Sequence, residues 1–201
     1  MGRMFYPTQN FEPIYNDAIS TVNKAGQMSD QGWAVDAERM YEGELGDLFY
    51  LDPNPMGSPC VLLLHGLGAD GASWEYQLRA LATAGMRPVA PDLPGFGRSI
   101  YRGKGWKLAE VRGEMFRFLD SLTTQPAKVV GLSMGGEGVW DAVARYPRLF
   151  AAAVPMCGRG EPAWATAIAH MPLWAFHGAA DDVVPVSFSR DMIQAIKTAG
   201  G

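Results

Sequence analysis

At 201 residues, the chain is long enough for one domain with a sizeable core. Its 48% hydrophobic and 19% charged residues exclude a disordered chain. A net charge of -4 gives no electrostatic basis for binding nucleic acid or an anionic membrane. No apolar window approaches the length of a bilayer span. The start, MGRMFYPTQNFEP, lacks the apolar run of a secretory signal, so a cytoplasmic location is expected.

Residues 1–43 are polar and aromatic, with a weak helical pattern near 13–25. They read as an amino-terminal extension, partly helical or mobile, ahead of a core over 44–201. From residue 45 onward strand and helix patterns alternate. DLFYLD (47–52) is a first strand, and CVLLL (60–64) is a continuous apolar run suited to a strand buried on both faces. A helix follows over 73–85, ending at Gly85. RPVAPD (87–92) is a strand, 106–123 a helix, AKVVGL (127–132) a strand and 137–147 a helix that stops at its proline. FAAAVPM (150–156), a short helical stretch near 161–169, LWAF (173–176) and a helix over 187–200 complete the series. This alternation predicts an α/β fold: a mostly parallel sheet with helices on both faces. Chemistry in such sheets gathers just beyond the carboxyl ends of the strands.

Cys60 opens one strand and Cys157 follows another. In a parallel sheet this puts them at opposite ends, roughly 17–20 Å apart, too far for a disulfide. Neither has a cysteine or histidine neighbour at metal-ligand spacing in the sequence.

Three segments after strands carry candidate chemistry. Gly131-Leu132-Ser133-Met134-Gly135 fits G-x-S-x-G, where small residues let strand and helix approach around a serine on a tight turn. Its hydroxyl would sit at the positive end of a helix dipole. Gly136 and Gly138 are unfavourable inside a helix, each by about 1 kcal/mol relative to alanine, unless close packing requires them. His65-Gly66-Leu67-Gly68 allows a sharp turn that aims N–H groups at a neighbouring site. It also fits an ordinary glycine-rich strand–helix turn. The third segment, His177-Gly178-Ala179-Ala180-Asp181-Asp182, offers a carboxylate to orient a base. Asp181 is the preferred choice; Asp182 is read as a turn cap or a solvated residue, and Glu161 as a more distant alternative.

Taken together, LLLHGLGADGASW, PDLPGFGRS, VVGLSMGGEGVW and WAFHGAADDVVP resemble the α/β-hydrolase superfamily, from about residue 45 onward. The resemblance implies that Ser133 is the nucleophile, that the backbone N–H groups of Leu67 and Met134 stabilise the oxyanion, and that Asp181 is the acid. It makes His65 and His177 structural, and assigns Asp92 and Ser99 to a loop that shapes the site. No metal or organic cofactor is implied. Residues 60–100 are more similar to general ester, epoxide and C–C hydrolases, and 131–201 to compact carboxylesterases, as in a recombined chain. Between Met156 and Leu173 there is no room for a cap domain.

Members of the superfamily place the base, a histidine, after the acid. The three histidines here are His65, His170 and His177, and none follows Asp181. The expected architecture therefore lacks the last strand and helix along with the base. LWAF then becomes an exposed sheet edge through which the chain could self-associate, unless the amino-terminal extension covers it. The expected function is a serine hydrolase cleaving small-molecule carboxylic esters through an acyl-enzyme, impaired without its base. The alternatives are a non-catalytic binding protein on the same scaffold and an inactive fragment. Trp74, Phe96, Trp106, Trp140 and Trp164 are read either as lining for an apolar pocket or as core.

Overall fold

A computed structural model describes residues 37–201 and, as a backbone strand, 3–7. The helical pattern near 13–25 lies outside the described residues. The strands are β1 (Arg3–Pro7), β2 (Glu38–Gly43), β3 (Gly46–Leu51), β4 (Cys60–Leu64), β5 (Arg87–Pro91), β6 (Ala127–Leu132), β7 (Phe150–Met156) and β8 (Trp174–Gly178). The α-helices are α1 (Glu75–Thr83), α2 (Leu108–Leu122), α3 (Met134–Arg145), α4 (Ala165–Ile168) and α5 (Ser187–Thr198).

All eight strands form one sheet in the order β1-β8-β7-β6-β4-β5-β3-β2. The five from β5 to β8 are mutually parallel, while β3, β2 and β1 join antiparallel at the two margins. The period-two alternation of strand side chains divides the core. Along β4, Cys60, Leu62 and Leu64 enter the larger cluster with α2, α3 and α5, including Phe118, Trp140 and Ile196. Val61 and Leu63 enter the smaller cluster with Trp74 and Leu78 at α1. CVLLL is thus fully buried because both of its faces are covered.

Three expectations change. The sheet reaches back to Glu38, since β2 and β3 form a hairpin through Glu44-Leu45, so the segment 1–43 is not wholly an extension. The edge expected at LWAF is occupied: β1 pairs antiparallel with β8 over five residues, Arg3 to Pro7 against Gly178 to Trp174. Backbone groups of β8 that would have lain at the edge of the sheet are hydrogen-bonded to β1 instead. Finally, α3 starts at Met134, directly after the motif serine, whereas the pattern placed its start at 137.

Among the described residues, β7 and β8 are joined by a 3-10 turn at Pro162–Trp164 and the single-turn α4. No helix there is long and apolar enough to cross a membrane.

Candidate active site

The helix after β4 packs on the smaller core and the helix after β6 on the larger one. The connections therefore leave the adjacent strands β4 and β6 toward opposite faces, the kind of switch point where ligands collect in open α/β sheets. Ser133 stands there. Its backbone is at φ 56, ψ -114, a left-handed conformation unfavourable for any residue with a Cβ. Its N–H donates to Met156 O at 2.8 Å, and its carbonyl accepts from Glu137 N–H at 2.9 Å. The turn is thereby fixed to both the neighbouring strand and its own helix. Ser133 is the N-cap of α3 and makes no side-chain cap bond, so the hydroxyl is not spent on the helix.

The surrounding glycines are required by contact, with one exception. A Cβ on Gly131 would run into Gly135 O, one on Gly135 into Leu64 O, and one on Gly136 into Met156 O. At Gly138 the nearest atom, Leu64 Cδ1, would be 3.8 Å away, an ordinary contact. Close packing explains the first three and leaves Gly138 unexplained.

The loop after β4 lies against the serine: a Cβ on Gly66 would sit 3.4 Å from Ser133 Cβ. Ala69 N–H closes the turn on Gly66 O at 3.2 Å, leaving Leu67 N–H out of that bond. Met134 is the first residue of α3, so its N–H has no partner inside the helix.

His65 braces this loop. Nε2 accepts from Leu93 N–H at 2.9 Å, which leaves the proton on Nδ1 to donate to Gly66 O at 2.8 Å. The ring is fully buried, with Phe96 edge-on at 5.5 Å. The next loop is tied down in the same way. Asp92 accepts from Gly71 N–H at 2.8 Å and Arg98 N–H at 2.7 Å, while Ser99 donates to Asp92 O at 2.6 Å.

Asp181 lies beyond β8. One carboxylate oxygen accepts from Val184 N–H at 2.9 Å and Val183 N–H at 3.0 Å. Those two bonds, led by Val184 and aided by the Cys157 thiol, hold the carboxyl below the ordinary aspartate range. His177 orders the loop: Nε2–H donates to Val184 O at 2.7 Å, and Nδ1 accepts from the Ser189 hydroxyl at 2.7 Å. Asp182 is exposed, as are His170 and Glu161; Glu161 pairs with Arg159 at 3.2 Å. Among the described residues no hydrogen bond joins a histidine to the Ser133 hydroxyl.

One neighbour was not legible in the sequence. The ligand atoms of Cys157, His177 and Asp181 lie within 4.8 Å of one another, although the cysteine is far from both in the chain. Cys157 follows β7 and is itself left-handed, at φ 50. Burial and the adjacent Asp181 carboxylate push its thiol pKa up. The imidazole nitrogen facing this cluster carries the proton given to Val184 O, so it acts there as a donor. Of the five aromatic candidates, Trp74 and Trp140 are core. Phe96 and Trp106 form an edge-on pair at 6.5 Å beside the site, and Trp164 packs half-buried on the core.

The model of the alpha/beta hydrolase fold family matches residues 59–194, a span holding every candidate residue above. The chain belongs to this family. Among its relatives, epoxide hydrolase B of Mycobacterium tuberculosis is 39% identical over 114 residues, covering 54% of this chain and 32% of that protein. The dihydrolipoyllysine-residue acetyltransferase component of the acetoin cleaving system of Cupriavidus necator is 45% identical over 80 residues, 40% of this chain and 21% of that protein. The chain thus spans less than a third of either relative. A thermostable esterase of known structure superposes with a TM-score of 0.63 at 28% identity, covering 83% of this chain and 53% of that one.

Proposed function

We propose that this alpha/beta hydrolase is built for acyl transfer: Ser133 attacks the carbonyl of a small carboxylic ester and forms an acyl-enzyme that water then hydrolyses. The observation that carries this reading is the left-handed Ser133 at the start of α3. Strain of this kind persists only where the surroundings enforce it, and here its effect is to present a hydroxyl above the sheet. Ser133 Oγ adds to the carbonyl carbon, and the carbonyl oxygen takes up the electron pair opposite Leu67 N–H and Met134 N–H. The alcohol leaves with a proton. Water repeats the addition, the acid departs and the serine regains its proton. Each oxyanion donor in such a site contributes about 2.7–4 kcal/mol in the transition state.

Similarity to an epoxide hydrolase raises epoxide opening as a competing activity, but the identity of the nucleophile argues against it. A serine oxygen opening an epoxide leaves an alkyl ether, which has no carbonyl for water to attack, so turnover stops. The same oxygen on an ester leaves a hydrolysable acyl group.

A second reading, a binding protein on a hydrolase scaffold, is favoured by one observation: His65 and His177 have both ring nitrogens committed elsewhere. Without a base, turnover is expected to fall by about 10⁴–10⁶. The test is hydrolysis of p-nitrophenyl butyrate against diol formation from styrene oxide, with fluorophosphonate labelling alongside. Labelling at Ser133 with Ser133-dependent ester turnover supports the enzyme. Diol formation, or neither ester turnover nor labelling in folded protein, contradicts it.

A further inference from the structure

Gly138 lies within α3, where a glycine is unfavourable, and no neighbour forbids a side chain there. What it does border is a cavity of about 60 Å³ between α2, α3 and the sheet. At one end the cavity is lined by Leu93, Trp106 and Met134, near the carboxyl ends of β5 and β6 where Ser133 also stands. At the other it reaches Phe150, the first residue of β7. Its only charged lining residues, Arg112 and Asp141, are paired at 2.8 Å, so no unbalanced charge faces the space. An almost wholly apolar lining of this kind favours an apolar guest. The volume corresponds to roughly four or five water-sized groups.

We infer that this cavity is the acyl-chain site, taking a short unbranched chain of about four to six carbons by that volume, and that Gly138 sets its capacity. The inference rests on the reading of Ser133 as an acyl-transfer nucleophile. Met134 links the two: its N–H faces the developing oxyanion while the same residue forms the wall of the cavity. The substrate carbonyl is held at the serine and its alkyl tail runs down between the helices. A side chain at position 138 would fill the space that the tail occupies, which gives a role to a glycine that packing does not require.

The experiment separates cavity from catalysis. Hexanoate binding to the Ser133→Ala chain, followed by amide chemical shifts and thermal shift, reports on the cavity without turnover. Saturable binding is expected, with shifts at Gly138 and Met115, weakened at least about tenfold by Gly138→Leu. Gly138→Ala, which keeps the helix and adds one methyl, is expected to retain the fold and weaken hexanoate more than acetate. Equal hexanoate affinity in the folded Gly138 variants, shifts confined to other residues, or no binding overturns the inference. Absence of Ser133-dependent ester turnover in the unmodified chain even with imidazole added as a base, with hexanoate still bound in the cavity, overturns the catalytic reading instead.

Discussion

Asp181 Oδ2 lies 3.6 Å from His177 Nε2, yet the two do not form an acid–base pair. The proton on that nitrogen is given to Val184 O at 2.7 Å, and the other ring nitrogen is held by Ser189. His177 therefore shapes the loop that presents Asp181. It cannot also carry protons for Ser133 without giving up those bonds. An added imidazole is expected to serve as a base: ester turnover should rise with imidazole concentration in the unmodified chain. The rise, measured above the background of Ser133→Ala, should be largely lost in Asp181→Asn.

Asp181 is expected to titrate below the usual aspartate value of about 3.9, because its ionised form accepts the Val184 and Val183 N–H groups. A carboxyl with a depressed folded pKa contributes stability above its unfolded pKa and loses it as pH falls through the folded one. Stability attributable to Asp181 should therefore be intact from neutral pH down to about pH 4 and disappear below it. Carboxyl-carbon NMR titration reads the midpoint directly. A value at or above that of a model aspartate would contradict the hydrogen-bond assignment.

Replacing Ser133 by glycine should separate stability from chemistry. Glycine adopts the left-handed conformation without steric cost, so Ser133→Gly should raise stability by about 1 kcal/mol while abolishing fluorophosphonate labelling. Thermal unfolding and labelling on the same sample check both.

Glycines inside one short motif should respond differently to the same change. At Gly135 an added Cβ meets Leu64 O, and at Gly136 it meets Met156 O. Since backbone cannot move aside as a side chain can, alanine at either should destabilise by about 2–3 kcal/mol. Denaturant midpoints compared with that of Gly138→Ala, which meets no such contact, provide the contrast.

Both thiols are free and should react slowly in the native state. Burial pushes the Cys60 thiol up to about 11, and burial with the Asp181 carboxylate also raises Cys157. Little thiolate is then present at pH 8. Slow native-state reaction with a disulfide reagent is expected, becoming fast for both on unfolding.

Much of the parallel core is legible in the sequence. CVLLL and AKVVGL are continuous or near-continuous apolar runs, and α2 and α5 carry strong helical periodicity, so each signal is local. What was missed depends on pairing. β2, the sequence Glu38-Arg39-Met40-Tyr41-Glu42-Gly43, alternates between exposed and half-buried residues because it lies at a sheet margin. Its clue was the Gly43–Gly46 spacing of a two-residue hairpin loop. β1 acquires meaning only from β8, with which it pairs across nearly the whole length of the chain. At the site, the serine turn and the aspartate loop were legible because glycine spacing reports backbone constraint. Cys157 was not, since its proximity to Asp181 follows from neighbouring strands β7 and β8 rather than from any spacing in the chain.

The proposed role of Ser133 is that of a nucleophile toward an acyl carbon. Intact-protein mass measurement after brief exposure to p-nitrophenyl butyrate, with imidazole present, tests this directly. The expected result is one butanoyl group, mapped to the peptide containing Ser133, decaying as water hydrolyses it and absent from Ser133→Ala. A folded protein that gains no adduct, or gains the same adduct without Ser133, would contradict it.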